Sequence, residues 1–230
     1  MSKDKTAFQD TQYYPVIFML LVTIIFVGIL SLFYRSTEKG IEAYKKQTYQ
    51  LQVMSLFADT LSNITGISKS SFTDLKEIRV NYPKYIKEME LPIVMGKTIN
   101  KKYYAASTVQ DNVIGYCFDV TGSGLWGTMH GLLAVTPDFK SIINFAIYDQ
   151  METPGLGARV EEPWFKSQFA GKPMISNNLI TRFSLVPEEA APSVNQVKQI
   201  TGATITSSSV LKIITAAAGE LNQVFELKAQ

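Results

Sequence analysis

The sequence predicts an α+β protein: a single N-terminal transmembrane helix followed by an antiparallel-rich α+β domain. Three observations carry that prediction. The run Val16–Phe33 holds no charge, strand-like stretches alternate with polar turns between residues 103 and 148, and a long apolar-periodic segment closes the chain.

The first element is the apolar run VIFMLLVTIIFVGILSLF. As a helix rising ~1.5 Å per residue it spans roughly 27 Å, against a hydrocarbon core of ~30 Å. Tyr13 and Tyr14 on one side and Tyr34 and Arg35 on the other suit the two interfaces. A buried core helix and a cleaved signal peptide are the rival readings. Apolarity all round argues against the first, and Tyr34-Arg35-Ser36-Thr37-Glu38 offers no small-x-small cleavage site for the second. Lys3 and Lys5 precede the run, whereas Arg35, Lys39, Lys45 and Lys46 follow it. That count alone puts the following domain in the cytoplasm, but Asp4, Asp10, Glu38 and Glu42 mix the signal.

A helix is expected from Thr37 to about Asn63, with Ile41, Tyr44, Thr48 and Leu51 near one face. Residues 60–100 read as polar turns and short helical pieces, interrupted at Tyr82-Pro83 and Leu91-Pro92. Strands are expected at Tyr103–Ser107, Val113–Val120, Gly131–Val135 and Ile142–Tyr148, with Thr121-Gly122-Ser123-Gly124 as a turn between two of them. A glycine-bearing loop, Thr153-Pro154-Gly155-Leu156-Gly157, precedes a short helix near Pro163–Phe169. A further strand is read at Ile180–Leu185 and an irregular stretch at Glu188–Val194. The last helix runs from Thr206 to about Leu227, capped by Thr206 or Ser207 and buried through Val210, Ile213, Ile214, Ala217 and Leu221.

Composition removes several function classes. The net charge of +2, without basic clusters interleaved with aromatics, gives no case for nucleic acid. Cys117 and His130 stand alone in their residue types, so a disulfide, a Cys/His metal site and a Ser-His-Asp triad lack material. No metal is expected, and no side chain stands out as a general acid or base. Any chemistry therefore belongs to a borrowed group.

Read one at a time, the remaining signals are ambiguous. Thr204, after Gly202-Ala203, is either a cap-region residue or a phosphate contact at a helix N-terminus. Gly155 and Gly157 are enough to close a tight turn and no more. Trp126 reads as a core aromatic and Cys117 as a buried, inert thiol.

Together they are more specific. Gly122-x-Gly124-Leu125-Trp126-Gly127, Glu152-Thr153-Pro154-Gly155-Leu156-Gly157, Trp164-Phe165…Phe169-x-Gly171-Lys172 and Thr201-Gly202-Ala203-Thr204 occur in that order. In this the chain resembles the flavin-carrying subunits of two homologous ion-pumping complexes. These are the C subunit of the sodium-translocating NADH:quinone reductase and the G subunit of the Rnf-type ferredoxin:NAD oxidoreductase. The resemblance runs from the N-terminal anchor to the last helix.

The resemblance implies FMN joined by a phosphoester to Thr204, the last threonine of the Thr-Gly-Ala-Thr motif. It places Thr153, Gly155 and Leu156 on a second flavin-contacting loop, and Leu125 and Trp126 on a third that covers the ring. It implies other subunits of a membrane redox complex and a flavin-attaching enzyme as partners, with lipid around the anchor. It also puts the domain on the outer side of a bacterial inner membrane. The expected organisation is a tail (1–14), a transmembrane helix (15–35), a helical stalk (36–63) and an extracytoplasmic FMN-binding domain (64–230). One position departs from the family's pattern: three residues before Thr201, where an acidic residue linked to recognition by the attaching enzyme is common, stands Lys198. The expected function is electron transfer by covalent FMN within a cation-pumping complex, the loops being slightly nearer the quinone-reductase relative. A stand-alone membrane flavoprotein reductase and a non-catalytic anchored ligand-binding or sensory protein are the alternatives.

Overall fold

A computed structural model of the protein describes residues 13–90, 102–176 and 179–226. The chain divides into two units, residues 1–46 and 47–230. Helix α1 (Tyr14–Leu56) begins in the first and ends in the second; it carries an 18-residue window of mean hydropathy 3.0, none of it buried, close to the N-terminus. By length and composition this one helix is able to cross a membrane, consistent with a single-pass anchor.

The second unit is built on a five-stranded antiparallel sheet in the order β1-β2-β3-β4-β5. Its strands are β1 (Ile86–Glu90), β2 (Lys102–Ser107), β3 (Val113–Ser123), β4 (Thr128–Val135) and β5 (Ile142–Asp149). Sequential neighbours pair throughout, and from β2 to β5 the connections are short, as antiparallel neighbours allow. Alternation along β3 divides the core in two. Phe118 and Val120 join Phe145, Phe165, Phe169 and the stripe Val210, Ile213, Ile214, Ala217 and Leu221 of helix α6 (Thr204–Glu226). Cys117 joins Val53, Met54 and Phe57 on the other side, with Leu61 and Phe72. That second layer contains the end of α1 and the short helices α2 (Ala58–Thr65), α3 (Ser70–Thr73) and α4 (Ile78–Tyr85). Cys117 is fully buried, and burial pushes its thiol well above the ordinary range.

The acid of the second layer is Asp119. Its carboxylate accepts from the Tyr49 hydroxyl at 2.6 Å and from the Tyr148 hydroxyl at 3.1 Å. Residues 47–56 at the end of α1 are thereby tied to β3 and β5 by packing and by a shared acceptor.

Several expectations are corrected. Thr121, Gly122 and Ser123 are not a turn but the last three residues of β3, paired with His130, Met129 and Thr128. Gly122 belongs there because Ile213 of α6 presses on the strand: a Cβ would lie 2.4 Å from Ile213 Cγ1. Strand β1 lies where only turns and helical pieces are expected, since its charged sequence IKEME gains its form by pairing with β2 at the sheet edge. Pro83 sits inside α4 rather than interrupting it, in a helix of one or two turns. The stretch expected as one strand at Ile180–Leu185 is split. Leu179–Ile180 (β7) pairs with Ile175–Ser176 (β6), and Ser184–Val186 (β8) runs parallel to Gln196–Lys198 (β9). The interruption at Leu91-Pro92 and the end of the last helix at Leu227 lie outside the described residues.

Candidate functional site

Two turns of one design frame the site. In Thr153-Pro154-Gly155-Leu156 the Leu156 N–H donates to the Thr153 carbonyl at 3.1 Å, and Gly155 has φ 75°. In Ile200-Thr201-Gly202-Ala203 the Ala203 N–H donates to the Ile200 carbonyl at 2.9 Å, and Gly202 has φ 79°. A positive φ at the third residue is what a type II turn requires, and glycine supplies it without strain. The turns pack on each other: a Cβ on Gly202 would sit 3.1 Å from Leu156 Cδ2.

The second turn starts α6. Ser207 N–H donates to the Ala203 carbonyl at 3.0 Å, so the helix begins at Thr204, two residues before the expected start. Thr206 and Ser207 are therefore not caps; both are buried in the first turn. Ser207 Oγ accepts from Ile200 N–H and donates to the Ala203 carbonyl, each at 3.0 Å, locking the turn to the helix. The N–H groups of Thr204, Ile205 and Thr206 have no acceptor among the described residues, as expected of a first turn. They open onto a cleft of about 320 Å³ lined by Leu125, Glu152, Thr153, Leu156, Thr204 and Thr206, among others.

Glu152 occupies the middle of this arrangement and is only 5% exposed. Its Oε1 accepts from Leu125 N–H at 2.8 Å and from Trp126 N–H at 3.0 Å, and its Oε2 accepts from the Thr206 hydroxyl. One carboxylate thus fastens three segments distant in sequence: the 124–127 turn, the 152–157 loop and the start of α6. Two glycines make room for it. A Cβ on Gly124 would lie 2.4 Å from Oε1, and one on Gly157 would lie 2.7 Å from Oε2.

The rim is apolar and open. Leu125 is 49% exposed, Trp126 67%, Leu156 44% and Ile205 60%. Trp126 is therefore not the core aromatic its composition suggests, because Glu152 holds the 124–127 backbone and leaves the indole outside. Its neighbour Met151 lies beside Gly127 and is also exposed. Of the expected site residues, Thr204, Thr153, Leu156 and Leu125 line one cleft, Gly155 forms the turn beneath it, and Trp126 stands beside Leu125 outside the lining.

Sequence reasoning reads Thr206 only as a candidate helix cap and Glu152 only as the first residue of the loop motif, and gives neither a place in the site. A signal existed for each: Thr206 falls on the buried stripe of α6 with Val210 and Ile213, where a hydroxyl needs a partner. Glu152 is the charge adjoining a loop of otherwise neutral residues, 153–157.

At the other flank, Glu188 Oε2 accepts from Thr201 N–H at 2.9 Å and Oε1 from Arg159 Nη2 at 2.8 Å. The Arg159 guanidinium first, and the Thr201 N–H second, hold the Glu188 carboxyl down at about 2. Lys198, on β9, exchanges backbone hydrogen bonds with the Gln168 amide; the acid beside Thr201 comes from residue 188 instead. The Trp164…Lys172 motif builds support. Phe165 and Phe169 are fully buried, Arg159 lies 5.3 Å over Trp164, and Lys172 Nζ donates to the Ser193, Val194 and Gln196 carbonyls. A larger groove of about 580 Å³, between β8 and α6, is lined by none of the motif residues. Among the described residues no group of His, Cys, Asp and Glu is placed to hold a metal.

The open first turn, the exposed Thr204 hydroxyl and the apolar rim suit a ligand with a phosphate at one end and a flat ring at the other. Residues 124–219 match the model of the FMN-binding domain, a stretch running from the Leu-Trp turn into α6. The chain thus contains, behind an N-terminal apolar helix, a stretch similar to the FMN-binding domain. Within that class it is similar to NqrC, the C component of the sodium-translocating NADH-quinone reductase. The Vibrio anguillarum relative is 37% identical over 101 residues, covering 44% of this chain and 40% of that protein. The Pseudomonas aeruginosa relative is 36% identical over 96 residues, covering 40% and 36%. The matched stretch therefore spans well under half the length of these relatives. The fold extends further than the sequence match. The crystal structure of Shewanella oneidensis NqrC superposes with TM-score 0.60 at 20% identity, over 81% of this chain and 100% of that one. That of the Parabacteroides distasonis counterpart gives 0.61 at 24%, over 83% and 96%.

Proposed function

We propose that the protein is the membrane-anchored, electron-carrying FMN subunit of an ion-translocating oxidoreductase, with FMN held covalently on Thr204. The relatives are named as subunits of a sodium-translocating NADH-quinone reductase, and a complex of that kind is the setting proposed here. The flavin supplies the redox chemistry. The residues of this chain bind it, orient it and limit its contact with water.

The observation that carries the reading is the contrast among three threonine hydroxyls. Thr206 is 1% exposed and committed to Glu152. Thr201 is exposed but does not line the cleft. Thr204 is both exposed and in the lining; Thr153 is too, but it belongs to the other turn, whereas Thr204 starts α6. Thr204 and the free N–H groups of the first turn would hold a phosphate esterified to its oxygen, since a helix N-terminus favours negative charge.

Covalency has a physical rationale in the same cleft. The lining contains a carboxylate, Glu152, and no lysine or arginine. A helix N-terminus contributes only about 0.3–1 kcal/mol to holding an exposed anion. A free phosphate would have little to retain it, whereas an ester bond needs no counter-charge. Leu125, Leu156 and Ile205 then offer the ring apolar contact, and Thr153 offers polar groups at the turn. The domain faces outward from a bacterial inner membrane in this proposal, with electrons entering and leaving at the open rim.

The test is flavin fluorescence on a denaturing gel, after expression of the full chain with a flavin-attaching enzyme. Wild type and Thr201→Val give a fluorescent band and Thr204→Val gives none. A band that survives in Thr204→Val contradicts the assignment.

A further inference from the structure

We propose that Glu152 is a positioning residue: it assembles the flavin cleft before any ligand arrives, by holding the Leu125-Trp126 turn and the first turn of α6 on one carboxylate. The inference rests on the reading of the cleft as the FMN site only for its consequence, since the interlock is a property of the flavin-free chain.

Each contact is needed for a different wall. Leu125 and Trp126 carry the apolar rim, and their backbone N–H groups meet at Oε1, at 2.8 and 3.0 Å. A further bond, Gly124 N–H to the Gly127 carbonyl at 2.7 Å, closes that turn on itself but does not attach it to anything else. The attachment comes from residue 152. On the other side the Thr206 hydroxyl spends its proton on Oε2, two residues beyond Thr204 in the same helical turn. Glu152 itself is held from behind by its own N–H, which donates to the Gln150 side chain. The fit is close on both sides, because neither Gly124 nor Gly157 has space for a Cβ beside the carboxylate.

Within the first turn of α6 the interlock occupies the Thr206 hydroxyl and leaves that of Thr204 unengaged, so Glu152 governs which threonine of the helix is available. Losing it also leaves three buried or half-buried donors without an acceptor, and the rim and the helix start become independent of each other. Such loss of order before binding weakens or slows loading without removing any group that touches the ligand.

The experiment uses the full chain in detergent and has two readouts. Hydrogen exchange in the flavin-free protein reports the Leu125 and Trp126 amides, and gel fluorescence after timed exposure to the attaching enzyme reports loading. Glu152→Ala speeds exchange at these two amides by roughly 10-fold or more, the effect of one lost hydrogen bond, while exchange in α6 from Val210 onward stays at its wild-type rate. Glu152→Gln, which keeps an oxygen for the two N–H groups, stays within about 3-fold of wild type. Thr206→Val preserves volume but loses the hydroxyl, and Thr206→Ser does the reverse. The proposal expects loading to fall several-fold in Thr206→Val and to be restored in Thr206→Ser. If packing alone matters, Val loads normally and Ser is the defective variant, which overturns it. Unchanged exchange at Leu125 and Trp126 in Glu152→Ala overturns it as well. If Glu152→Ala proves unfolded, the Thr206 pair decides the matter by itself. Should wild type fail to load while exchange responds as described, the FMN assignment falls and the interlock stands.

Discussion

Two acids on opposite faces of the same sheet are used in different ways. Asp119 gathers two tyrosine hydroxyls that belong to the packed layer formed with the end of α1. Glu152 gathers two backbone N–H groups and a threonine at the rim of an open cleft. The first network is lined by large rings, with Tyr49 against Tyr104 and Tyr148 at 5.8 and 5.6 Å. The second is lined by glycines and opens onto exposed Leu125, Trp126 and Leu156. A half-buried carboxylate surrounded by bulk fixes a scaffold; a buried one among glycines and apolar rim residues shapes a place for something else to bind. Perturbing the first should therefore lower stability and spare loading, whereas perturbing the second should lower loading per folded molecule, whatever its cost in stability.

The largest effect is expected at Gly157→Ala. Its Cβ would lie 2.7 Å from Glu152 Oε2 and 2.8 Å from Thr206 Oγ1, so the interlock has to open. Covalent flavin per folded molecule should drop at least several-fold, read as gel fluorescence normalised to protein, with a stability loss of about 1–3 kcal/mol from overpacking. Next comes Asp119→Ala, which strands two phenols: about 2 kcal/mol is lost in denaturant unfolding, while flavin per folded molecule stays at the wild-type level. Tyr49→Phe removes one of those donors and should cost about 1 kcal/mol by the same measurement. A loading defect in either scaffold variant would show that the two faces are not independent.

The smallest effect concerns acid. Glu188 sits at about 2 in the fold, below its ordinary 4.5, because Arg159 and the Thr201 N–H favour the carboxylate. A lowered folded value means the stabilising contribution is complete above about 4.5 and is lost as pH falls toward 2. Acid unfolding of Glu188→Gln should accordingly show a shallower decline across that window than wild type. An unchanged acid limb would detach Glu188 from the Thr201 turn.

Much of the scaffold is legible in the sequence because its signals are periodic. Alternation with polar turns places four strands, and helical spacing places the buried stripe of α6. What resists reading depends on partners far away in sequence. Gly122 looks like a turn residue until Ile213 is seen pressing on it, and IKEME looks like anything but a strand until β2 lies beside it. The site divides along the same line. Thr204, Thr153, Leu156 and Leu125 stand out by motif and do line one cleft. Glu152 and Thr206 are not seen as a pair because their role is a contact across 54 residues, and the reading of Trp126 as a core aromatic fails because Glu152 holds its backbone N–H while the ring stays outside. Local patterns reveal surfaces; a tie between distant segments leaves only an oddly placed polar residue as its trace.

The central claim is that Thr204 bears the flavin. Peptide mass mapping of the purified full chain, expressed with a flavin-attaching enzyme, tests it directly. The account predicts that the peptide containing residues 199–212 gains the mass of one FMN less one water, with fragmentation placing the gain on Thr204. A gain placed on Thr201 or Thr206, or on no residue of that peptide, would contradict it.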